Sequence, residues 1–189
     1  MIRKKNVNKV FFLFLFSQLL LWTIIPTLSN VNLPLDTIEA LAWGSNLDWG
    51  FSKHPPFSAF ALEFFFFLFG NKDWAYYLLS QIFVIISFLF VWRFSYQILE
   101  DKIFSLLSVL ILSGIYFYNY TTPEFNVNVS QLPFWALSVY FFWKGLNENK
   151  KFDWILFGIF SALGFLSKYL FIYILLSLLI FFILNLKKY

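Results

Sequence analysis

Cysteine is absent from this chain. No disulfide framework, thiolate nucleophile or cysteine metal site can therefore exist. Histidine occurs once, so a multi-histidine metal site cannot form within one copy. Charge is scarce as well. Only 13% of the 189 residues are Asp, Glu, Lys or Arg, against about a quarter in ordinary soluble domains. A soluble fold of this size could not cover its surface with so few charges. Disorder is excluded by the opposite excess, since 60% of residues are hydrophobic and 25% aromatic. Phenylalanine alone fills 29 positions, and the mean hydropathy is +0.72. What remains is an all-α, polytopic membrane helical bundle in a single transmembrane domain.

A bilayer core takes about 20 apolar residues of helix. Charge-poor stretches of suitable length predict six crossings, at 10–29, 74–98, 103–120, 126–143, 154–167 and 169–186. The last two come from one long apolar stretch whose only charge is Lys168, read as two short helices meeting there. The 31–73 segment is expected as an outer loop with interfacial helices. Within it, 57–70 is apolar apart from Glu63 but too short to span. Pro55 and Pro56 suit the first turn of that helix, where a missing N–H costs little. The first apolar run follows a basic head, as in signal peptides. It is long for such a segment and no small-x-small site follows, so an uncleaved first span is expected.

The formal charge of +4 would suggest nucleic acid, but its distribution does not. With the N-terminus in the cytoplasm, the inner segments hold eleven basic residues against four acidic ones, a net of +7. The basic set is Arg3, Lys4, Lys5, Lys9, Arg93, Lys102, Lys144, Lys150, Lys151, Lys187 and Lys188. The outer segments hold Lys53, Lys72 and Lys168 against six acids, a net of −3. The excess is thus an orientation signal of the positive-inside kind.

The outer loop carries most of the residues capable of chemistry. Asp36 and Glu39 are three apart, which on a helix puts both carboxylates on one face. Asp36 reads equally as an N-cap or first-turn residue and as a general base at the membrane surface. Lys53 and His54 precede Pro55–Pro56. They could bind a phosphate at head-group level, or they are a snorkelling lysine and a solvated histidine. Trp43, Trp49, Trp74, Tyr76 and Tyr77 flank this loop as expected members of an interfacial aromatic belt. Glu124, Asn126 and Asn128 occupy the next outer loop and read as ordinary loop chemistry. Lys168 stands in Gly164-Phe165-Leu166-Ser167-Lys168-Tyr169 inside an apolar stretch, a placement that is either functional or a turn lysine reaching outward.

An acidic residue soon after the first span, Leu47-Asp48-Trp49-Gly50-Phe51 with Lys53-His54-Pro55-Pro56, and an apolar helix ending in Phe69-Gly70 form a pattern. Phe125-Asn126-Val127-Asn128 leading to Leu132-Pro133-Phe134-Trp135, and Gly158 to Ser167-Lys168-Tyr169, extend it. Together they resemble the polytopic GT-C glycosyltransferases. The likeness is to the dolichyl-phosphate-mannose protein mannosyltransferase-like group, which includes the bacterial aminoarabinose transferases (glycosyltransferase families 39 and 83).

The resemblance implies a polyprenyl-phosphate-linked sugar as donor and a lipid, glycan or protein as acceptor. It implies inverting transfer on the periplasmic or outer face of a multi-pass plasma (inner) membrane protein. Asp36 matches the first-loop aspartate taken as catalytic base. His54 and Lys53 match the motif that faces donor phosphate or a divalent ion. Glu39 lies close to an acidic pair of some members, and Lys168 would contact donor phosphate. No cofactor is specified. A divalent metal held by Asp36 and His54 stays open. Members are longer, so the chain is expected to be the N-terminal part of a GT-C fold, with a separate C-terminal half as partner. The competing expectation is a non-catalytic transporter, flippase-like protein or assembly subunit. Transport sites sit near the midplane, whereas the ionisable residues here gather at one surface.

Overall fold

The computed structural model describes residues 6–186, all of them helix, turn or loop. Arg3, Lys4, Lys5, Lys187 and Lys188, counted in the charge argument, lie outside the described residues. Eight α-helices run in order as α1 (Val7–Ser29), α2 (Leu35–Gly44), α3 (Phe57–Phe69), α4 (Asp73–Leu99), α5 (Lys102–Ser113), α6 (Val127–Glu148), α7 (Lys151–Ser167) and α8 (Ile172–Leu184). Single 3₁₀ turns sit at Tyr116–Tyr118 and Tyr169–Phe171.

Local chemistry sets the boundaries. Pro34 opens α2, and its carbonyl accepts the N–H groups of Thr37 and Ile38. Pro56 opens α3, and Gly70 closes it at a φ of 65°, a conformation that suits glycine. The Asp101 side chain caps α5 by accepting from Ile103 N–H at 2.7 Å. Asn126 caps α6 in the same way, accepting from Asn128 and Val129.

Among the described residues, two helices have both the length and the apolarity of a crossing, α1 with 23 residues and α4 with 27. The stretch 103–120, expected as one helix, is helical only to Ser113. Gly114 then breaks it, and the 3₁₀ turn at Tyr116–Tyr118 leads into the next loop. Helix α6 is 22 residues long, α7 is 17 and α8 is 13. The two helices expected on either side of Lys168 do meet there.

The core is a chain of helix pairs, α1 on α4, α4 on α6 and α6 on α7. On α1, Val7, Phe11, Leu15 and Gln18 form a buried stripe at helical spacing. Phe11 stacks on Trp92 of α4 at 4.6 Å. The rest of α1 presents Phe12, Leu13, Phe16, Leu21 and Ile25 outward. An apolar surface that broad is costly in water and ordinary in lipid.

The two ends of the bundle differ. At one end Lys144 pairs with Asp153 at 3.2 Å and with Glu148 at 3.6 Å, and Lys150 pairs with Glu148 at 2.6 Å, across the α6–α7 turn. At the other end, α2 and α3 lie beside the α5–α6 loop and the Lys168 corner. Helix α2 lies so close to α3 that a Cβ on Gly44 would stand 2.8 Å from the Ala59 carbonyl oxygen.

Candidate functional site

The site begins with the first turn of α2. A helix N-terminus leaves backbone N–H groups without helical partners. Here the Asp36 N–H is taken by Glu124 Oε1, from the α5–α6 loop, at 3.1 Å. The Thr37 hydroxyl is buried and donates to the Phe125 carbonyl at 3.2 Å. Asn126 Nδ2 donates to Asp36 Oδ2 at 3.2 Å. Three consecutive loop residues thus join the turn that carries Asp36, so two loops distant in sequence form one surface. Asp36 is a first-turn residue of α2 and not its N-cap, which is Pro34.

The loop is held from below by buried polar groups. Gln18 of α1 donates to Gln81 of α4 at 3.2 Å, and Gln81 donates to the Thr122 hydroxyl at 3.1 Å. Thr122 in turn donates to the Asn119 carbonyl, and Ser80 donates to the Thr122 carbonyl. Each of these buried groups would be expensive without its partner. The network therefore fixes Thr122 against the helices, two residues before Glu124 and four before Asn126.

Asp36, Glu124, Asn126, Asn128 and Gln131 line a cavity of about 460 Å³ together with Tyr118 and Trp135. Lys168 reaches its rim by donating to Asn128 Oδ1. A tight corner aims this lysine. Helix α7 stops at Ser167, Lys168 adopts an extended backbone, and its N–H bonds to the Gly164 carbonyl at 3.0 Å. The Phe171 ring folds back onto Gly164, where a Cβ would collide with it. Burial pushes the Lys168 ammonium below the usual lysine value of 10.5.

Lys53, Glu39 and His54 form a neighbouring group. Lys53 pairs with Glu39 at 2.9 Å in an exposed ion pair, which raises the lysine's pKa. Trp43 stacks on Phe51 at 5.2 Å and meets the His54 ring edge-on at 5.9 Å. Burial, followed by the nearby Lys53 charge, lowers the His54 pKa from 6.5. Lys168 lowers it further, while Glu39 and Asp36 act in the opposite sense. The charges of Lys53, Glu39, Lys168 and Asp36 thus all reach His54. Asp36 and Glu39 nevertheless turn to different partners, Asn126 and Lys53. The Lys53–His54 pair is not a pair of free cations, since Lys53 is matched by Glu39 and His54 is held toward its neutral form.

Among the described residues, no three His, Cys, Asp or Glu side chains come together as metal ligands. Asp36 and His54 are not joined there by a third such side chain. Tyr76 and Tyr77, expected in an aromatic belt, are buried instead. The Tyr77 hydroxyl accepts from Asn30 and the Tyr76 hydroxyl donates to the Gly70 carbonyl.

Glu124, Asn126 and Asn128 carry more of the site than loop composition predicts. Gln18 and Gln81 carry no expectation at all, although a glutamine inside an apolar span is itself a signal, since it must find a partner there.

The sequence profile of the dolichyl-phosphate-mannose-protein mannosyltransferase family matches residues 53–188. The matched region includes Lys53, His54, the α5–α6 loop and Lys168, and begins after Asp36 and Glu39. Comparison with curated proteins and with solved structures gives no match.

Proposed function

The chain belongs to the dolichyl-phosphate-mannose-protein mannosyltransferase family, and from that premise we propose that Asp36 is the general base of an inverting sugar transfer in the 460 Å³ cavity. The family is one of membrane glycosyltransferases that take their sugar from a polyprenyl-phosphate donor. In this reading the acceptor hydroxyl gives its proton to an Asp36 carboxylate oxygen. The acceptor oxygen then bonds to the anomeric carbon as the bond from that carbon to the phosphate oxygen breaks. The departing polyprenyl phosphate gains a negative charge, which the Lys168 ammonium at the cavity rim offsets.

One observation carries the reading. Asn126 and Asn128, two residues apart at the start of α6, hold Asp36 and Lys168 respectively. A base on the cavity wall and a cation at its rim are therefore both anchored at the start of α6, one to serve the acceptor hydroxyl and the other the departing phosphate. Glu39, Lys53 and His54 form a secondary group on the donor's approach, with His54 as a neutral hydrogen-bonding group near pH 7.

The reading includes six crossings with the N-terminus in the cytoplasm and the Asp36 cavity on the opposite, periplasmic side of an inner membrane. It is supported by the separation of charge in the bundle. Lys144, Lys150 and their acids occupy one end, and the Asp36 group occupies the other. A lipid, glycan or protein hydroxyl is the acceptor.

The test is transfer from radiolabelled polyprenyl-phosphate mannose by the full chain in native membranes. Asp36→Asn is expected to reduce the rate by about 10²- to 10⁴-fold, the usual loss with a general base. Undiminished transfer by this variant would remove Asp36 from the mechanism. Absence of transfer from the wild-type chain would favour transport or an assembly role.

A further inference from the structure

The end of the bundle opposite Asp36 holds two cavities that sugar transfer does not use. One is an apolar cleft of about 420 Å³ where α6, α7 and α8 face one another, walled by Phe142, Phe157, Leu175 and Leu179. Its one polar wall residue, Ser161, donates to the Ser138 hydroxyl at 3.3 Å, so the wall asks for no polar partner. The other, of about 770 Å³, is a mouth lined by Gly145, Asn147 and Asn149 near the ends of the helices. Trp154 and Phe182 line both, so cleft and mouth adjoin at these two rings. Neither shares a residue with the Asp36 cavity.

Packing explains the opening. Helix α8 has no buried residue, and it is anchored at its start, where Phe171 is fully buried against Gly164. Gly145 lets the Trp154 ring lie directly on α6, since a Cβ there would stand 2.8 Å from it. The indole is thereby seated at the boundary between cleft and mouth, the depth at which tryptophan meets lipid head groups. On α7, Lys151, Trp154, Phe157 and Ser161 recur at helical spacing. This face runs from a charge through an indole to hydrocarbon.

The charges beside the mouth are unevenly spent. Glu148 takes Lys144 and Lys150, and Asp153 takes Lys144 as well. The unpartnered carboxylate oxygen, Asp153 Oδ2, is buried. Lys151 is exposed and makes no ion pair among the described residues. The Asn149 side-chain amide and the Trp154 indole N–H likewise find no acceptor among them. The turn therefore offers one free ammonium and N–H donors, next to a cleft that accepts only hydrocarbon. A phosphate diester carrying an acyl chain matches both halves.

We propose that the α6–α7–α8 cleft and its mouth bind one anionic phospholipid of the leaflet opposite the Asp36 cavity. Its acyl chain fills the cleft, and its phosphate sits by Lys151, Trp154 and Asn149. The site stands apart from the assignment of Asp36 as base, and its test needs no sugar transfer. The full chain is placed in nanodiscs holding phosphatidylcholine and phosphatidylglycerol in equal amounts. A photo-reactive benzoylphenylalanine replaces Leu179, in the cleft, or Ile180, outside it. Both positions are more than half exposed and tolerate the larger side chain. Irradiation and mass spectrometry give the ratio of phosphatidylglycerol to phosphatidylcholine adducts.

The expected ratio is about fivefold higher at Leu179 than at Ile180, the worth of one lysine beside an anionic head group. Lys151→Gln, a change at an exposed side chain, should bring the Leu179 ratio down to the Ile180 level in chains that elute as folded protein. Equal ratios at the two positions, or a Leu179 ratio that Lys151→Gln leaves unchanged, would overturn the lipid site. So would crosslinking of Leu179 to a second chain in place of lipid, since a polypeptide would then cover the cleft. Enrichment at Leu179 alongside undiminished transfer by Asp36→Asn would leave the lipid site standing and remove the catalytic reading.

Discussion

One side-chain amide, that of Asn126, holds both a helix and a carboxylate. Its oxygen caps α6 by accepting from Asn128 and Val129, and its nitrogen donates to Asp36 at 3.2 Å. The two roles fix which way the amide faces and, through it, where the Asp36 carboxylate points.

Asn126→Asp separates these roles. The carboxylate still caps α6, so helix stability should be nearly unchanged, but the donor to Asp36 becomes a like charge. Asn126→Ala removes the cap as well and should cost about 0.5–2 kcal/mol. Thermal unfolding in detergent ranks the variants as wild type, then Asp, then Ala. Sugar transfer should fall in both.

Glu124 takes the Asp36 N–H that α2 cannot satisfy itself. Glu124→Gln keeps an acceptor oxygen and should leave that amide protected. Glu124→Ala should expose it at a cost of about 1 kcal/mol. Hydrogen exchange of the peptide covering 35–39 measures the difference, with faster exchange expected only for the alanine variant.

His54 is the single histidine, so its imidazole resonance is unambiguous. Its midpoint should lie below 6.5, because burial and the Lys53 charge disfavour the imidazolium. Lys53→Gln should raise that midpoint and Glu39→Gln should lower it. Since the folded value is the depressed one, the unfolded chain takes up the proton first as pH falls. The stability this residue contributes is complete above 6.5 and declines as the pH falls toward the folded midpoint. An acid melting series on wild type and His54→Asn checks the sign.

Gln81 links α1 and α4 to the loop that carries Glu124 and Asn126. Gln81→Leu should destabilise the chain by about 1 kcal/mol, the scale of hydrogen bonds between membrane helices. Part of that loss should vanish in a Thr122→Val background. A double-mutant cycle that shows no coupling would mean that Thr122 is held in place without Gln81.

The helical class and most helix starts were legible because they are local. Pro55 and Pro56 act on backbone groups within a residue or two and so mark the start of α3 in the chain itself, whereas Asn126 reads as loop chemistry until its side chain is seen to cap α6. The long apolar runs of α1 and α4 need only composition to declare themselves. The break after Ser113 is harder to read, because 103–120 carries no charge and Gly114 is its one helix breaker.

Partner choice was a different matter. Asp36 and Glu39 share a helix face by spacing, yet one turns to Asn126 and the other to Lys53, because the partners come from loops 90 and 14 residues away. Lys168 stood out by its apolar surroundings, but its contact with Asn128 arises from the Phe171–Gly164 corner. Composition and periodicity report which residues prefer lipid, water or a helix end. Hydrogen bonds between distant loops depend on how the helices stack, and that stacking is a property of the whole chain.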